Sequence, residues 1–327
     1  MRTRLFPALG TDVSVIGLGT WQLGADWGSV SDDDAAATLT AAYESGVTFF
    51  DTADVYGDGV SEKRIAAWRS ANPTANVFVA TKTGRRANPH VGAEYSDANI
   101  RAWVDRSRRN LVVDTLDLVQ LHCPPQEIYG DDRVFDIMRS LVQEGVTRAW
   151  GVSVETVAQG LAAIEQPGCA SLQVIVNALR LKPFDELLPA AHEREVAIIA
   201  RVPLASGLLS GRITKDTTFG ADDHRNYNRD GAAFDVGETF SGVPFEAGIE
   251  AAQQLAAEVP DGVTPAQAAL AWLAAQPAVT TVIPGARNPE QARANAAAGD
   301  LVVPAGYDTA VHRVYDSLIR EHVHPRW

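Results

Sequence analysis

The chain has 327 residues, 46% of them hydrophobic and 21% charged, which is typical of a globular protein with a large core. Its net charge of −13 and the lack of a basic stripe argue against nucleic acid as a partner, and no apolar run approaches the ~20 residues of a membrane span. Two cysteines without metal-ligand spacing, and an N-terminus without the apolar core of a signal peptide, favour a cytoplasmic protein.

Eight short runs of apolar and β-branched residues predict strands. Their near-continuous apolarity is typical of parallel strands that are buried on both faces. In chain order they are VSVIGLG (13–19), VTFFD (47–51), VFVATK (77–82), LDLVQLH (116–122), TRAWGVS (147–153), LQVIVN (172–177), VAIIAR (196–201) and VTTVIPG (279–285).

Segments with helical patterns lie between these strands. Ser31 and Ser96 are predicted N-caps, and Gly46 is a predicted stop for the helix that Ser31 begins. Pro189 interrupts the pattern of residues 183–195, where we expect a kink or a restart. Further helices are predicted within residues 132–145, 154–168, 264–276 and 288–299.

The alternation of strands and helices predicts an α/β fold, namely a (β/α)8 TIM barrel that forms a single domain over residues 1–327. A long loop, residues 204–244, follows the seventh strand and is expected over the catalytic face. The rival fold is a doubly wound dinucleotide-binding domain, which GLGTWQ (17–22) suggests. Gln22 stands where the third glycine of that motif belongs, and no helix begins directly, so the barrel is favoured.

Three consecutive predicted strands end on polar residues, namely Asp51, Lys82 and His122. Polar residues at the C-terminal ends of barrel strands are typical of catalytic sites, and neighbouring strand ends lie about 5 Å apart. Tyr56 follows Asp51 closely enough to fold over the same rim. Each of the four has an ordinary structural alternative when taken alone, such as a loop aromatic or a core histidine. Their occurrence together at one rim favours a catalytic role for the four residues over these structural ones.

These four residues suit proton delivery to a carbonyl. A tyrosine has a pKa of about 10, and we expect Lys82 to lower the pKa of Tyr56 because a cation stabilises the phenolate. Asp51 would hold Lys82 charged, and His122 would hydrogen-bond the substrate oxygen. The hydride must come from a nicotinamide cofactor. Asp54 and Asp58 are interpreted as loop and turn residues.

Seven motifs, in this order, resemble those of the aldo-keto reductases across nearly the whole chain. They are GLGTWQLG, FFDTADVYG, ATK, LVQLHCP, GVS, PLASGLLSGR and IPGARNPEQARAN. The resemblance implies an NAD(P)H-dependent reductase of aldehydes or ketones on a (β/α)8 barrel. It assigns the role of general acid to Tyr56, and Asp51, Lys82 and His122 complete the catalytic tetrad.

The resemblance also implies a cofactor site. Ser153 and Gln173 would hold the nicotinamide carboxamide with Asn177 in support, and Leu204, Ser206 and Gly207 would pass the pyrophosphate. Arg287 would bind a 2′-phosphate, which favours NADP(H) over NAD(H), and Arg212 would serve the same phosphate or the pyrophosphate; the alternative is that both are solvated surface charges. The remaining expected cofactor contacts are Thr20, Trp21, Arg201, Pro284, Gly285, Gln291 and Asn295, of which Gln291 and Asn295 could face the adenine.

Two positions depart from the family pattern. Arg201 replaces an aromatic residue that often stacks on the nicotinamide, and Val154 replaces a frequent asparagine next to Ser153. We therefore expect Arg201 either to weaken binding of the oxidised cofactor or to meet an anionic substrate group, and carboxamide recognition to depend more on Gln173.

The predicted substrate pocket has an aromatic wall. Its candidates are Trp21, Trp27, Tyr129 and the loop that contains His224, Arg225 and Tyr227. Such a wall suggests a small hydrophobic or aromatic carbonyl compound, or a sugar that stacks; the alternative is that these side chains only pack the loop.

Two other function classes stay open. One is a cofactor-bound regulatory subunit with little turnover, and the other is a metal-dependent barrel hydrolase with Asp51 and His122 as ligands. The sequence leaves the substrate, the direction of the reaction and the oligomeric state open.

Overall fold

The computed structural model describes residues 1–24, 30–221 and 223–327. Its strands are β1 (Thr3–Phe6), β2 (Thr11–Ser14), β3 (Leu18–Gly19), β4 (Phe49–Asp51), β5 (Phe78–Thr83), β6 (Leu118–His122), β7 (Trp150–Ser153), β8 (Cys169–Ile175), β9 (Ala197–Arg201) and β10 (Val279–Val282). Its helices are α1 (Asp32–Glu44), α2 (Val60–Ala71), α3 (Asp97–Leu111), α4 (Asp132–Gln143), α5 (Val157–Ile164), α6 (Leu187–Glu193), α7 (His224–Tyr227), α8 (Phe245–Ala256), α9 (Pro265–Ala275), α10 (Pro289–Ala297), α11 (Tyr307–Val314) and α12 (Arg320–Val323), and a π-helical turn, Tyr315–Ile319, joins the last two.

Strands β3 to β10 form one parallel sheet in which each strand pairs with the next along the chain. The sheet closes on itself because the segment around β3 also pairs with the last strand. Gly17 N donates to Val282 O at 2.7 Å, and Gly19 N donates to Pro284 O at 3.0 Å. The predicted (β/α)8 barrel is confirmed, and the doubly wound alternative is wrong.

The first predicted strand, residues 13–19, is wrong in its extent. Residues up to Ser14 belong to β2, which pairs antiparallel with β1, and only the following residues join the barrel, where Ile16 bridges to Val282 and Leu18–Gly19 pairs with β4. The hairpin forms because Gly10 takes a left-handed φ of 57° between the two strands. Phe6 is fully buried 5.2 Å from the ring of Phe78, so the hairpin covers the N-terminal end of the barrel.

The other predicted boundaries hold to within a few residues. Ser31 and Ser96 cap their helices, since their hydroxyls accept hydrogen bonds from Asp34 N and Asn99 N at 3.0 and 3.3 Å. Pro189 lies in the first turn of α6, where a helix needs no amide donor, so the helix restarts there rather than kinking. The described parts of the chain contain no helix that is long and apolar enough to span a membrane.

The long loop between β9 and α8 returns over the C-terminal end of the barrel. It contains short helical turns at Ala205–Ser210, Val236–Glu238 and Phe240–Gly242, besides α7. Trp327 anchors its last third. The indole Nε1 donates to Asp235 at 3.2 Å, and the guanidinium of Arg180 lies 3.9 Å over the ring.

Candidate active site

The C-terminal ends of β4 and β5 carry a buried ion pair. The ammonium of Lys82 contacts Oδ1 of Asp51 and donates to Thr52 O at 2.9 Å, and the two side chains are only 1% and 3% exposed. Burial works to lower the pKa of Lys82, but Asp51 and Tyr56 outweigh it and the pKa is raised. Lys82 is therefore a fixed cation, and its charge compensates the buried carboxylate.

The second oxygen of Asp51 has a partner from across the barrel. The amide of Gln173, on β8, donates to Oδ2 of Asp51 at 2.7 Å. Burial raises the pKa of Asp51, while the hydrogen bonds from Lys82 and Gln173 oppose that shift. The sequence analysis missed this bond because it joins residues 122 positions apart through the barrel interior.

Tyr56 lies over the ion pair at the start of a tight turn, Tyr56–Gly59. Its Oη is 3.4 Å from Nζ of Lys82. Burial raises the pKa of Tyr56, and Lys82 opposes the shift without reversing it, so the expected net lowering is wrong. The phenol therefore keeps its proton at neutral pH, as a general acid must until its proton is transferred.

The turn that carries Tyr56 depends on glycines. Gly57 and Gly59 have φ of 57° and 90°, and a Cβ added at Gly57 would lie 1.8 Å from Gly24 O. Asp58, with φ 53°, is exposed and pairs with Arg86, so it is a turn residue as predicted. Asp54 is different. It lies in the loop, but its carboxyl is buried and accepts no hydrogen bond from a side chain among the described residues.

His122 presents its ring edge-on to Tyr56, with 6.0 Å between the ring centroids. Burial lowers the pKa of His122 well below its usual value, and the charges of Arg85, Lys82 and Arg201 act in the same direction. The imidazole is therefore neutral. It can donate one hydrogen bond to a substrate oxygen without competing with Tyr56 for the proton.

A second set of charges adjoins His122. Glu238, from the long loop, pairs with Arg85 at 3.1 Å and lies 3.6 Å from Arg201. Arg201 also donates to Val154 O at 3.2 Å. Arg201 stands where the family pattern often has an aromatic residue that stacks on the nicotinamide. Its guanidinium already lies next to the carboxylate of Glu238. Glu238 could not be predicted from the sequence, because it lies in an irregular loop without a periodic pattern.

The expected carboxamide residues lie together at the ends of β7 and β8, where Ser153 pairs in register with Gln173. Oγ of Ser153 lies 3.6 Å from Sγ of Cys123. Asn177 makes its contacts elsewhere. Its amide donates to Val202 O and to Ser241 Oγ, and its oxygen accepts from Leu179 N, so it holds the base of the long loop.

The expected pyrophosphate segment after β9 has an unusual backbone. Ala205, Ser206 and Gly207 have successive left-handed φ values of 48°, 54° and 99°, which is a costly conformation for the first two. The hydroxyl of Ser206 connects this segment to the later part of the long loop, because its Oγ accepts a hydrogen bond from Phe240 N and donates one to Glu238 O. Leu204 precedes this run, and Arg212 follows it with an exposed side chain.

The expected cofactor residues after β10 lie where this segment approaches the segment around β3 closely. Pro284 O accepts a bond from Gly19 N, and a Cβ added at Gly285 would lie 2.1 Å from the side chain of Gln22. Asn295 donates to Gly285 O at 3.1 Å, and Gln291 accepts from Arg287 N at 2.9 Å. Both amides thus shape the loop before α10, and the side chain of Arg287 is exposed.

The expected aromatic wall is only partly described. Trp21 lies 6.0 Å from the ring of Tyr56 and 5.3 Å from His224, and Phe234, which the sequence analysis missed, lies 6.0 Å from Trp21. Tyr129 is buried. Trp27 lies outside the described residues. Thr20, an expected cofactor contact, is buried, and its hydroxyl donates to Asp51 O at 2.8 Å. The loop residues Arg225 and Tyr227 contact Asp223 and Phe234.

One group of three potential metal ligands occurs within the described residues, namely Cys123, Glu155 and Glu238. Neither Asp51 nor His122 belongs to it. The oxygens of Asp51 are taken by Lys82 and Gln173, so the geometry gives no support to the hydrolase alternative.

Comparison with known proteins identifies the aldo-keto reductase family. The model of the Aldo/keto reductase family matches residues 15–308. The aldo-keto reductase YhdN of Bacillus subtilis is 29% identical over 290 residues, which cover 87% of this chain and 85% of that protein. A glycerol dehydrogenase from Gluconobacter oxydans superposes with a TM-score of 0.79 at 28% identity, covering 98% of this chain and 96% of the other. An aldo-keto reductase from Klebsiella pneumoniae in complex with NADPH has a TM-score of 0.69 at 25% identity, covering 96% of both chains.

Proposed function

Because the chain belongs to the aldo/keto reductase family, we propose that it reduces an aldehyde or ketone to an alcohol with NADPH. The observation that carries the proposal is the position of Tyr56. Its protonated hydroxyl lies 3.4 Å from a lysine whose charge is fixed by Asp51, beside the neutral imidazole of His122.

In this proposal Tyr56 donates its proton to the carbonyl oxygen as the alcohol forms. Lys82 stabilises the phenolate that remains, and Asp51 keeps Lys82 charged and in place. His122 donates a hydrogen bond to the same oxygen and so fixes the carbonyl toward Tyr56. A bound NADPH supplies the hydride.

The residues around the expected cofactor site fit such a group. The amide nitrogen of Gln173 already donates to Asp51. Its amide oxygen can therefore accept a hydrogen bond from the carboxamide of the nicotinamide, next to Ser153. The left-handed run at Ala205–Gly207 is the kind of strained backbone that is found at ligand contacts. Leu204 precedes this run, and together they would meet the pyrophosphate.

The preference for NADPH rests on Arg287. It directly precedes the N-terminal turn of α10, where the helix dipole favours an anion, and a guanidinium can bind a phosphate with two hydrogen bonds. The structure of the Klebsiella pneumoniae relative contains NADPH, which agrees with this preference. The cytoplasm stays the proposed location, and small carbonyl compounds are the proposed partners.

A spectrophotometric assay tests the proposal. The purified chain is incubated with NADPH or NADH and a panel of aldehydes and ketones, and oxidation of the cofactor is followed at 340 nm. We expect turnover of at least one carbonyl compound, with a lower KM for NADPH than for NADH. Tight NADPH binding without turnover of any carbonyl compound would instead favour the regulatory alternative.

A further inference from the structure

Three hydroxyl groups form a buried network next to the ion pair of Lys82 and Asp51. They belong to Thr20, Thr52 and Ser61, and all three side chains are fully buried. Oγ of Ser61 lies 2.7 Å from Oγ1 of Thr20 and accepts a hydrogen bond from Oγ1 of Thr52 at 2.8 Å. Because Ser61 is in the first turn of α2, this hydroxyl network joins that helix to the residues that follow β3 and β4.

The hydrogen-bonding capacity of the three groups gives the network a direction. A hydroxyl group donates only one hydrogen bond. Thr20 gives its proton to the carbonyl oxygen of Asp51 at 2.8 Å, so Ser61 must be the donor towards Thr20. Thr52 in turn donates to Ser61. The network therefore runs from Thr52 through Ser61 and Thr20 to the carbonyl of Asp51, and successive hydrogen bonds of this kind strengthen one another.

Both ends of the hydroxyl network lie on the backbone that holds Lys82. The carbonyl of Thr52 accepts a hydrogen bond from Nζ of Lys82 at 2.9 Å. The carbonyl of Asp51, whose carboxylate contacts the same ammonium, also accepts from Thr20 N at 2.9 Å. Lys82 is fully buried, so its ammonium lies where these oxygens hold it. A shift of Thr52 therefore moves the cation that lies 3.4 Å from Oη of Tyr56.

We propose that Ser61 and Thr52 are positioning residues of the reductase, because their hydroxyl groups fix the Thr52 carbonyl that directs the ammonium of Lys82 at Tyr56. The inference rests on the proposed function and adds two residues to the site. A displaced ammonium stabilises the phenolate of Tyr56 less well, so the loss of either hydroxyl should act on the chemical step rather than on cofactor binding.

Variants that each remove one hydroxyl test the two assignments. We expect kcat to fall by about tenfold in Ser61→Ala and in Thr52→Val, which keeps the shape of the side chain, while the KM for NADPH stays within about twofold. The double variant should lose little more than either single variant, because both substitutions break the same network. Thr52→Ser keeps the hydroxyl and should therefore retain most of kcat.

Ser107→Ala is the matched control. Ser107 is also a fully buried serine in a helix, but its Oγ has no hydrogen-bond partner among the described residues. Its replacement should leave kcat unchanged. A kcat like that of the wild type in both Ser61→Ala and Thr52→Val would overturn the inference, and so would equal losses in Ser61→Ala and Ser107→Ala.

Nuclear magnetic resonance of the lysine ammonium groups gives a readout that does not depend on activity. The chain has four lysines, all of them described, and Lys82 alone among them is buried. Its hydrogen-bonded protons should exchange slowly with water. In protein that carries ¹⁵N-labelled lysine, arginine replaces the three lysines that reach the solvent, so that Lys82 gives the one remaining signal. The substitutions are Lys63→Arg, Lys182→Arg and Lys215→Arg.

We expect the Lys82 signal to shift in Ser61→Ala and Thr52→Val and to keep its position in Ser107→Ala. An unchanged signal in both test variants would overturn the inference even where the wild type reduces carbonyl compounds. A wild type that reduces no carbonyl compound would count against the proposed function itself, and the resonance comparison would still decide whether the hydroxyl network holds Lys82 in place.

Discussion

The amide of Gln173 donates a 2.7 Å hydrogen bond to Asp51, although the two residues belong to strands on opposite sides of the barrel. Asp51 in turn holds Lys82, and Lys82 lies against Tyr56. The residue that we expect at the nicotinamide is thereby connected to the group that we expect to deliver the proton. The bond crosses a fully buried interior, where hydrogen bonds to a charged group are worth about 1.5–3 kcal/mol.

Replacement of Gln173 by methionine, which has a similar shape, should therefore lower the free energy of unfolding by about 2 kcal/mol and reduce turnover. Gln120 provides the control because it is also fully buried, but neither its amide oxygen nor its nitrogen has a partner among the described residues. Gln120→Met should be neutral or stabilising. Denaturant titrations of the two variants make the comparison, and equal losses would contradict the account.

The turn at Tyr56 should be sensitive to a single methyl group. Gly57→Ala adds a Cβ that would lie 1.8 Å from Gly24 O, so the turn must move and carry the phenol away from Lys82. We expect kcat/KM to fall by about tenfold or more. Gly10→Ala shares the same φ of 57° and has nothing within 4 Å of the added Cβ, so it should cost about 1 kcal/mol of stability and leave kcat/KM unchanged. Similar kinetics for both variants would show that the contact is irrelevant.

Asp54 should make the protein less stable as the pH rises. Burial, reinforced by Glu62, raises the pKa of this carboxyl from 3.8 to about 7. Above about pH 4 the unfolded chain releases the proton while the folded protein keeps it, so the contribution of Asp54 to stability falls until the pH passes about 7. Asp54→Asn should therefore gain stability relative to the wild type between pH 4 and 8, by at most about 4 kcal/mol.

Asp58 supplies a control of opposite sign for that titration. Hydrogen bonding and attraction from Arg86 lower the pKa of this exposed carboxyl. Asp58→Asn should be less stable than the wild type at neutral pH, and the difference should shrink as the pH falls below the usual range of an aspartate. Free energies of unfolding at several pH values distinguish the two variants. If the difference in free energy of unfolding between Asp54→Asn and the wild type stayed constant with pH, the raised pKa of the Asp54 carboxyl would be contradicted.

Trp327 should control the order of the long loop. Its ring packs against Arg180, and its indole nitrogen bonds Asp235, three residues before Glu238. Trp327→Ala should speed trypsin cleavage within residues 204–244 and raise KM several-fold, because Glu238 loses its support, with a smaller change in kcat. Trp327→Phe keeps most of the packing and should restore much of the protection. Unchanged cleavage in Trp327→Ala would contradict this anchoring role.

The sequence predicted the barrel and the meeting of Asp51, Lys82 and His122 for one physical reason. Continuous apolar runs indicate parallel strands, and parallel strands present their C-terminal ends at one rim. The observed strands β4 and β6 end at Asp51 and His122 as predicted, and Lys82 is one residue from the end of β5.

Other features depend on contacts that periodicity does not encode. The bond between Gln173 and Asp51 joins opposite strands, and the pairing of Glu238 with Arg85 joins an irregular loop to a strand end. The hairpin of β1 and β2 was missed because the apolar run from Val13 to Gly19 continues through two different pairings. The pKa of Tyr56 was misjudged because the sequence shows the cation but not the depth of burial.

The central claim is that Tyr56 delivers the proton. Its most direct test is a comparison of Tyr56→Phe with the wild type, in which NADPH binding is measured by quenching of tryptophan fluorescence and carbonyl reduction is followed at 340 nm. We predict that the variant binds NADPH with similar affinity and loses at least about a hundredfold in kcat, since general acid catalysis contributes that much or more. A variant that retains the kcat of the wild type would contradict the account.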